Sequence, residues 1–596
     1  MEILPTFIAK AISSRIDTHY PLIHTKELDY GTSGIRTKGA VLPPVSARLI
    51  FIAVLRSWSC GLNSSSELVK ERGSSIGFII TASHNPSDDN GFKIIDSDGA
   101  MLKSSWEKWC KKAVNAKSGG DLINVLKECI TEENITFPSK IPSSYGSILF
   151  GRDTRETGLC IFDSAKDMLD IFLKVPYTDY GIVTTPELHY IVCKFNLELQ
   201  KAIPAAINID SYHQCILNAF DRLMSLRLNG APINQHNLVI DTSNGVGYHG
   251  MKRLISFSES ISDHDILKKY FNIILLNTNV EQSNKLNDLC GAEFVHKKDS
   301  PSDEMNQWAV VNHKEKNYSH YYSLDGDADR LIALNYNSLP SERGKWWNII
   351  DGDRISVLYA LLLHKWLGDD VMELLDVGIV LTGYSNGAVT RFIEETLKMK
   401  TYVTATGVKN LHPVAHKLDI GIYFETNGHG TVLFRDGLEK KLEGRISTQK
   451  AEFIYLILKT VPLLLSQVCG DAIADILMCE VALDALQLSP LQWIQVYDAR
   501  PSIQSRISLP DSSVITTTKV QTRVITPKGL QDEIDDIINS LEQEFPSKDR
   551  EQGMTRAFVR PSGTEPVVRI YAETSTKNTC KVLEEKVRAA VIKYCS

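Results

Sequence analysis

The segment Leu324-Asp325-Gly326-Asp327-Ala328-Asp329-Arg330 places a carboxylate on every second residue. Alternate side chains of an extended stretch project to one side, so these carboxylates can converge on a hard cation that prefers oxygen ligands. A calcium loop of the EF-hand kind also begins D-x-D-x-D, but it needs glycine in sixth place and glutamate in twelfth. Arg330 and Tyr336 stand there instead, and that reading fails. Like charges so close together repel unless a metal neutralises them. Magnesium is the favoured ion, because the few protein oxygens on offer leave positions for water and phosphate.

A second reactive stretch is Thr81-Ala82-Ser83-His84-Asn85-Pro86. It follows the apolar run Ile76-Gly77-Phe78-Ile79-Ile80 and precedes the turn formers Ser87-Asp88-Asp89-Asn90-Gly91, after which Phe92-Lys93-Ile94-Ile95 resumes a strand pattern. A strand-end loop of this kind holds the Ser83 hydroxyl up to solvent or substrate, with His84 and Lys93 as polar companions. Taken alone, the stretch reads equally as a polar turn. Further upstream, Arg36 ends a glycine-punctuated loop and can clamp a phosphate or carboxylate, or simply form a surface ion pair. Near position 425 a tight loop gathers Glu425, Asn427 and His429, an acceptor, an amide and an imidazole suited to sugar hydroxyls; as a bare pattern it is a polar hairpin tip. Towards the C-terminus, Arg560, Ser562, Gly563, Thr564 and Arg569 combine guanidinium groups, hydroxyls and exposed backbone N–H groups, which is what a phosphate dianion needs.

These groups need elements to hold them. Ala47 to Ser57 reads as a helix with an apolar face. Ser147 to Phe150 reads as a strand feeding a loop that caps a helix, and Gly181 to Val183 as another strand. The pattern restarts at Leu238-Val239-Ile240 with the glycine loop Asp241 to Gly247, and again at Leu331 to Leu334, Ile379 to Thr382, Tyr402 to Thr404 and Gly421 to Phe424. Strands alternating with helical stretches predict α/β layers. The last part is strand-rich, at Ala557 to Val559 and Val567 to Tyr571, and closes with a helix whose packing face is Leu583, Val587, Ala590, Val591 and Tyr594. Residues 111–144 carry no pattern strong enough to assign. The run 451–468 is membrane-like in composition, yet Lys459 and Pro462 in its middle make it a buried helix, and 470–488 is a helical stretch that can act as a hinge. With 596 residues and roughly 150 per domain, about four domains are expected, at 1–203, 204–322, 323–475 and 476–596.

A net charge of −7 argues against a nucleic-acid or anionic-membrane surface, so any phosphate chemistry is local. Eleven cysteines without a C-x-x-C pair fit neither a disulfide framework nor a zinc site, and point to a reducing compartment. Residues 1–13 make a poor signal peptide, because no basic lead precedes the apolar patch and Lys10 interrupts it. A cytoplasmic location is expected.

The serine loop, the D-x-D-x-D loop, the Glu425 loop and the Arg560 loop, in that order and at domain-scale spacing, resemble the α-D-phosphohexomutases, over nearly the whole chain from Tyr30 to Tyr571. The early position of the serine loop, with Asp89-Asn90-Gly91, Trp106-Glu107, Thr184 to His189, Thr406-Gly407-Val408-Lys409 and Asn427, is most similar to the branch acting on N-acetylglucosamine phosphate. The resemblance implies four domains around a central cleft: three α/β mixed-sheet domains and a smaller strand-rich α+β C-terminal domain. It also implies a phosphoserine at Ser83, which joins Asp325, Asp327 and Asp329 around Mg2+, with His84 and Lys93 as proton-handling neighbours. Arg36, Thr406, Gly407, Lys409, Glu425, Asn427 and His429 would meet the sugar phosphate, and Arg560, Ser562, Gly563, Thr564 and Arg569 its non-reacting phosphate. The partner implied is a small-molecule sugar phosphate, with neither nucleic acid nor membrane; nothing bears on oligomeric state. The implied reaction passes through a 1,6-bisphosphate. Leu324, Ser33, Ile35, Thr426 and Pro566 depart from the usual pattern without removing a functional group, and they bear on substrate choice. The alternatives are the branch acting on glucose and mannose phosphates, a non-catalytic sugar-phosphate binder, and a magnesium-dependent phosphatase.

Overall fold

The computed structural model describes residues 4–31, 34–136, 146–172, 174–226, 235–261, 265–312, 319–337, 346–509, 511–545, 555–562 and 567–595. The first sheet comprises β1 (Ile35–Lys38), β2 (Ser75–Ile80), β3 (Asp89–Ile95), β4 (Ser147–Arg152) and β5 (Tyr177–Ile182), in the order β1-β3-β2-β4-β5. Parallel pairing of β2 with β4 and of β4 with β5 requires crossovers, whereas β3 runs antiparallel to β2 and returns directly through the serine loop. Every residue of β2 is buried, as a strand covered on both faces must be. Ile76, Phe78 and Ile80 point into a core shared with the helix Leu42–Leu62, while Ile79 joins Leu188, Ile191 and Val192 of the helix Thr185–Leu199 on the other face. The helix Leu42–Leu62 is buried nearly all round, not along one face. The span Gly39–Leu62 is long and apolar enough to cross a membrane, yet 83% of its best window is packed inside the protein.

The unassigned segment around 111–144 holds the end of one helix, Ser104–Val114, and the whole of another, Gly119–Glu132. Ser118 caps the second through a reciprocal bond with Asp121. Their apolar stripes, with Trp106, Trp109, Leu122, Leu126 and Cys129, are buried; Lys108–Glu132 and Lys112–Glu128 pairs on the outer face diluted the pattern in sequence.

The second sheet comprises β6 (His236–Asp241), β7 (Phe271–Leu276), β8 (Ser319–Leu324), β9 (Leu331–Tyr336) and β10 (Trp347–Ile350), ordered β10-β9-β8-β6-β7. The aspartate loop is the turn between antiparallel β8 and β9. The boundary expected at 322/323 therefore falls inside β8, because the loop belongs to a hairpin and not to the end of a domain. The third sheet contains β11 (Val377–Thr382), β12 (Lys400–Thr404), β13 (Ile420–Phe424) and β14 (Gly430–Phe434), ordered β12-β11-β13-β14, and the Glu425 loop is the tip of its β13–β14 hairpin. After the helix Ala472–Leu486, which runs across the boundary expected at 475/476, come β15 (Ser502–Ser508), β16 (Thr516–Thr517), β17 (Val524–Thr526), β18 (Arg556–Pro561) and β19 (Val567–Glu573). The order β15-β19-β18 forms a sheet covered on one face by the helices Leu530–Glu544 and Lys577–Cys595, with β16–β17 a separate ribbon.

Packing gathers the chain into two compact units: residues 1–349 with 460–478, and 350–459 with 479–596. At the serine loop's end of the first sheet, a Cβ on Gly91 would stand 2.2 Å from the Ile35 carbonyl oxygen and 2.9 Å from that of Thr81. Both obstacles are backbone and cannot rotate away. Gly91→Ala is expected to cost about 1–3 kcal/mol, read as a lower denaturant midpoint; an unchanged midpoint would show that β1 yields freely.

Candidate active site

Within the first unit the serine loop and the aspartate loop meet. Ser83 adopts φ 52, in the left-handed region, and is fully buried, not raised to solvent as the loop's position implied. Its Oγ donates a hydrogen bond to Asp325 Oδ2 at 2.7 Å, and His84 Nδ1 lies 3.4 Å from the Ser83 Oγ. Asp325, Asp327 and Asp329 are all buried, and one oxygen from each lies within 4.8 Å of the others. Asp325 Oδ1 accepts from the N–H groups of Asp329 and Arg330, at 3.1 and 3.2 Å. Lys93 Nζ sits 2.7 Å from Asp327 and 2.8 Å from Asp329, and the Thr185 hydroxyl donates to Asp327 Oδ2. Asp327 Oδ1 is buried with no hydrogen-bond partner among the described residues, an orphaned acceptor of the kind a divalent cation satisfies. The donor set fits magnesium.

The backbone of Ser83 is held on both sides. Its N–H donates to Thr81 Oγ1, and the Thr81 hydroxyl donates to Asp153 Oδ2. Asp153 Oδ2 also takes the Nε–H of Arg155, a fully buried guanidinium that donates to the Ser83, Asn85 and Asp89 carbonyls at 2.8–2.9 Å and to that of Pro86. Asn287 Nδ2 donates to the Ser83 and Asn85 carbonyls as well. A left-handed serine persists only where its surroundings over-determine it, and this circuit does so. Arg36, half-buried, reaches Asn85 at 3.3 Å.

Within the second unit a different set is assembled. Glu425 Oε1 accepts from the N–H of Gly407, whose φ of 109 opens the helix Val408–Ala415. Thr406 precedes that helix and Lys409 stands in its first turn, both half-buried. The hairpin tip closes on itself, with Asn427 Oδ1 accepting from the His429 N–H and the Glu425 N–H donating to the His429 carbonyl. Arg560 lies directly across from Arg569 on β18–β19, and Arg569 across from Arg506 on β15. Cross-strand like charges repel, so such a row is suited to an anion. Arg560 Nε donates to the Tyr384 hydroxyl at 2.9 Å while its guanidinium lies over the Tyr384 ring, and Gln521 Oε1 stands 3.5 Å from Arg560 and 3.4 Å from the Thr406 N–H. The Ser562 N–H donates to the Val567 carbonyl. Gly563 and Thr564 lie outside the described residues.

Comparison with known proteins shows the family. A family model described as "Phosphoacetylglucosamine mutase AMG1, domain III" matches residues 351–488. Models of phosphoglucomutase/phosphomannomutase alpha/beta/alpha domain I and C-terminal domain match 61–119 and 530–590. The phosphoacetylglucosamine mutase of Candida albicans is 33% identical over 597 residues, covering 98% of this chain and 99% of its own. The chain belongs to the phosphoacetylglucosamine mutase family. The crystal structure of Aspergillus fumigatus N-acetylphosphoglucosamine mutase, in complex with GlcNAc-6P and magnesium, superposes with a TM-score of 0.83 at 29% identity, covering 100% of both chains. A serine-to-alanine variant of that enzyme, in complex with glucose 1,6-bisphosphate, matches with the same TM-score, identity and coverage.

Charge at the serine end is concentrated and buried. Burial and the neighbouring Asp329 and Asp327 push the Asp325 carboxyl well above its ordinary range. The same burial and Asp329 act on Asp327, but Lys93 and Thr185 outweigh them and hold it below its usual value. Burial would lower Lys93, yet Asp327 and Asp329 raise it, so it is an ammonium. His84 is driven far down by burial and then by Arg330, and is neutral at pH 7. Glu293 is buried, yet the charges of Arg330 and Lys297 hold it below its usual value, and it stays ionised.

Arg155, Thr185, Asn287, Tyr384 and Gln521 were not among the residues expected at the site. Arg155 stands in a segment legible only as a loop, Thr185 in a stretch that carries the family resemblance without a role assigned to it, and the other three in stretches with no motif at all. Arg155→Lys keeps the charge but loses the fork that holds four carbonyls. If Ser83 is the nucleophile the sequence motif implies, its misplacement is expected to lower kcat by about 100-fold, with KM for the sugar phosphate nearly unchanged; a normal kcat would detach Arg155 from the chemistry.

Proposed function

We propose that this chain interconverts N-acetylglucosamine 6-phosphate and N-acetylglucosamine 1-phosphate through phospho-Ser83 and a 1,6-bisphosphate. The observation that carries this is the contact of Ser83 Oγ with Asp325, which builds a nucleophile directly onto a buried aspartate triad. In the first half-reaction the bond between Ser83 Oγ and phosphorus breaks and a bond from the sugar 1-hydroxyl oxygen to phosphorus forms, while the hydroxyl proton passes by way of a neighbouring base to the departing Ser83 oxygen. In the second half-reaction the bisphosphate has turned end over end; the bond between its 6-oxygen and phosphorus breaks, a bond from Ser83 Oγ to that phosphorus forms, and the Ser83 proton passes to the 6-oxygen, which leaves the sugar 1-phosphate and restores phospho-Ser83. Magnesium held by Asp325, Asp327 and Asp329 supplies neutralisation of the charge spread over the transferring oxygens. Ser83 presents the oxygen, Lys93 offsets the mutual repulsion of Asp327 and Asp329, and His84, beside the Ser83 oxygen, and Lys93 are the groups read as moving a proton. Arg155 and Asn287 fix the serine's approach.

The second unit supplies recognition. Glu425, Asn427 and His429 read sugar hydroxyls, with Thr406, Gly407 and Lys409 alongside, and Arg560, Ser562 and Arg569 hold the phosphate that is not reacting, with Gly563 and Thr564 assigned there from the sequence motif. Because the bisphosphate presents a phosphate at either end, one clamp serves both binding orientations. Arg36 is assigned to the reacting end. The chain is read as a cytoplasmic enzyme, on the strength of eleven free cysteines in a protein whose phosphate chemistry needs no membrane.

Ser83→Ala is expected to abolish turnover, and intact-mass analysis of the native protein to find phosphate on the Ser83 peptide. Near-normal mutase activity in that variant would sink the phosphoserine mechanism. Substrate choice rests on Asn427, whose Oδ1 is engaged by the His429 N–H, so that its amide Nδ2 is the side available to an acetamido carbonyl. GlcNAc-6-phosphate is expected to exceed glucose-6-phosphate in kcat/KM, and Asn427→Ser to narrow that ratio by about 1 kcal/mol, the worth of one neutral hydrogen bond. Equal turnover of the two sugars by the native protein would move the reading to a glucose-type mutase.

A further inference from the structure

Consecutive carbonyls of the aspartate loop are each held by a backbone N–H at the start of a different helix. The Val246 N–H donates to the Gly326 carbonyl, that of Thr185 to Asp327 and that of Ala472 to Ala328, each at 3.1 Å. Val246 leads into the helix Gly247–Ile261, and Thr185 and Ala472 are the first residues of Thr185–Leu199 and Ala472–Leu486. Ala328 itself adopts φ 61, which a residue with a side chain keeps only under constraint. The shape of the loop therefore depends on how these helix ends sit against one another. They converge on Gly250, where a Cβ would stand 2.8 Å from Ile473 Cδ1 and 3.0 Å from Thr184 Cγ2.

Two buried carboxylates lock the convergence. Glu187, fully buried, accepts from the Thr184 N–H in a capping box at the start of the Thr185 helix, and its Oε2 also takes a guanidinium N–H of Arg253 from the Gly247 helix at 2.7 Å. Arg253 donates a second bond to the Ile182 carbonyl. Asp471 caps the Ala472 helix by accepting from the Ala474 N–H, and its other oxygen takes the hydroxyl of Tyr212 at 2.8 Å. Tyr212 lies on a fourth helix, Ile209–Met224, beside His213, whose Nε2 stands 3.3 Å from Glu187. An ordinary helix cap is wet and local. These caps are dry, and a buried carboxylate stripped of its cross-helix donor would be left costly and uncompensated.

We propose that Tyr212 and Arg253 are positioning residues for the metal loop, which through Asp471 and Glu187 fix the helix ends that hold Ala328 and Asp327 and so set the affinity of the aspartate triad for magnesium. This rests on the magnesium reading above. The test is calorimetric titration of MgCl2 into the full-length protein without substrate. Tyr212→Phe and Arg253→Gln are each expected to weaken binding by about 10-fold, the scale on which residues behind a metal's ligands act. Raising magnesium should restore kcat in both, with KM for the sugar phosphate unchanged. If both variants bind magnesium as the native protein does while melting earlier, the residues are only structural and the inference is overturned. Asp327→Asn separates the two levels: native magnesium affinity in that variant would fail the metal reading itself, whereas its loss alongside native affinity in Tyr212→Phe and Arg253→Gln fails the brace alone. The two residues hold different helices, so if one variant does not fold the other decides.

Discussion

The burial of like charges at Asp325, Asp327 and Asp329 is the constraint on which the rest of the first unit depends. Three carboxylates out of water and within 4.8 Å of one another repel strongly at low dielectric. The protein balances them in layers. Lys93 supplies a full positive charge from the first sheet, Thr185 and the Ser83 hydroxyl supply hydrogen bonds, and backbone N–H groups hold both the Asp325 carboxylate and the loop's own carbonyls. Apart from the Asp329 and Arg330 N–H groups of the loop itself, the donors come from separate stretches of chain, so the arrangement exists only once sheets one and two and their covering helices are packed.

The same dependence explains which parts of the site were legible in the sequence. Ser83, the aspartates, Lys93, Glu425 and Arg560 carry chemistry within short motifs, and strand periodicity placed their loops at strand ends, where β2, β8, β13 and β18 put them. Arg155 and Asn287 serve the same reaction from 72 and 204 positions away in sequence, and their task is to satisfy carbonyls, which leaves no motif. Tyr212 reaches Asp471 over a separation of 259. A residue whose partner is backbone or a distant cap has no local pattern to betray it.

That two expected boundaries fall inside secondary-structure elements has a related cause. At 322/323 the aspartate motif suggested a division, but a loop that must hold like charges still needs rigid flanks, and a β8–β9 hairpin provides them. The helix Ala472–Leu486 was legible as a hinge candidate, yet its first residue is committed to the Ala328 carbonyl. The paired helices within 104–132 escaped assignment because their polar faces are as charged as their inner faces are apolar.

The two units hold their groups by different means, and the mechanism proposed above gives a reason. Transfer at Ser83 happens in one geometry, and buried, over-determined contacts suit a nucleophile whose misplacement by an ångström costs rate. The bisphosphate must be held, released and held again the other way round, so the groups that grip it have to exchange one partner for another at little cost. Arg560, Arg569, Thr406, Lys409 and Asn427 are half-buried or exposed, and Arg560 rests on the Tyr384 hydroxyl and ring through contacts that leave most of its guanidinium N–H groups uncommitted to that residue. A clamp as tightly locked as the aspartate loop would hold the intermediate in one orientation and stop the cycle half-way. Rigid contacts around Ser83 and exchangeable ones at the Arg560 row are thus what the proposed mechanism, with its turning intermediate, asks of these residues.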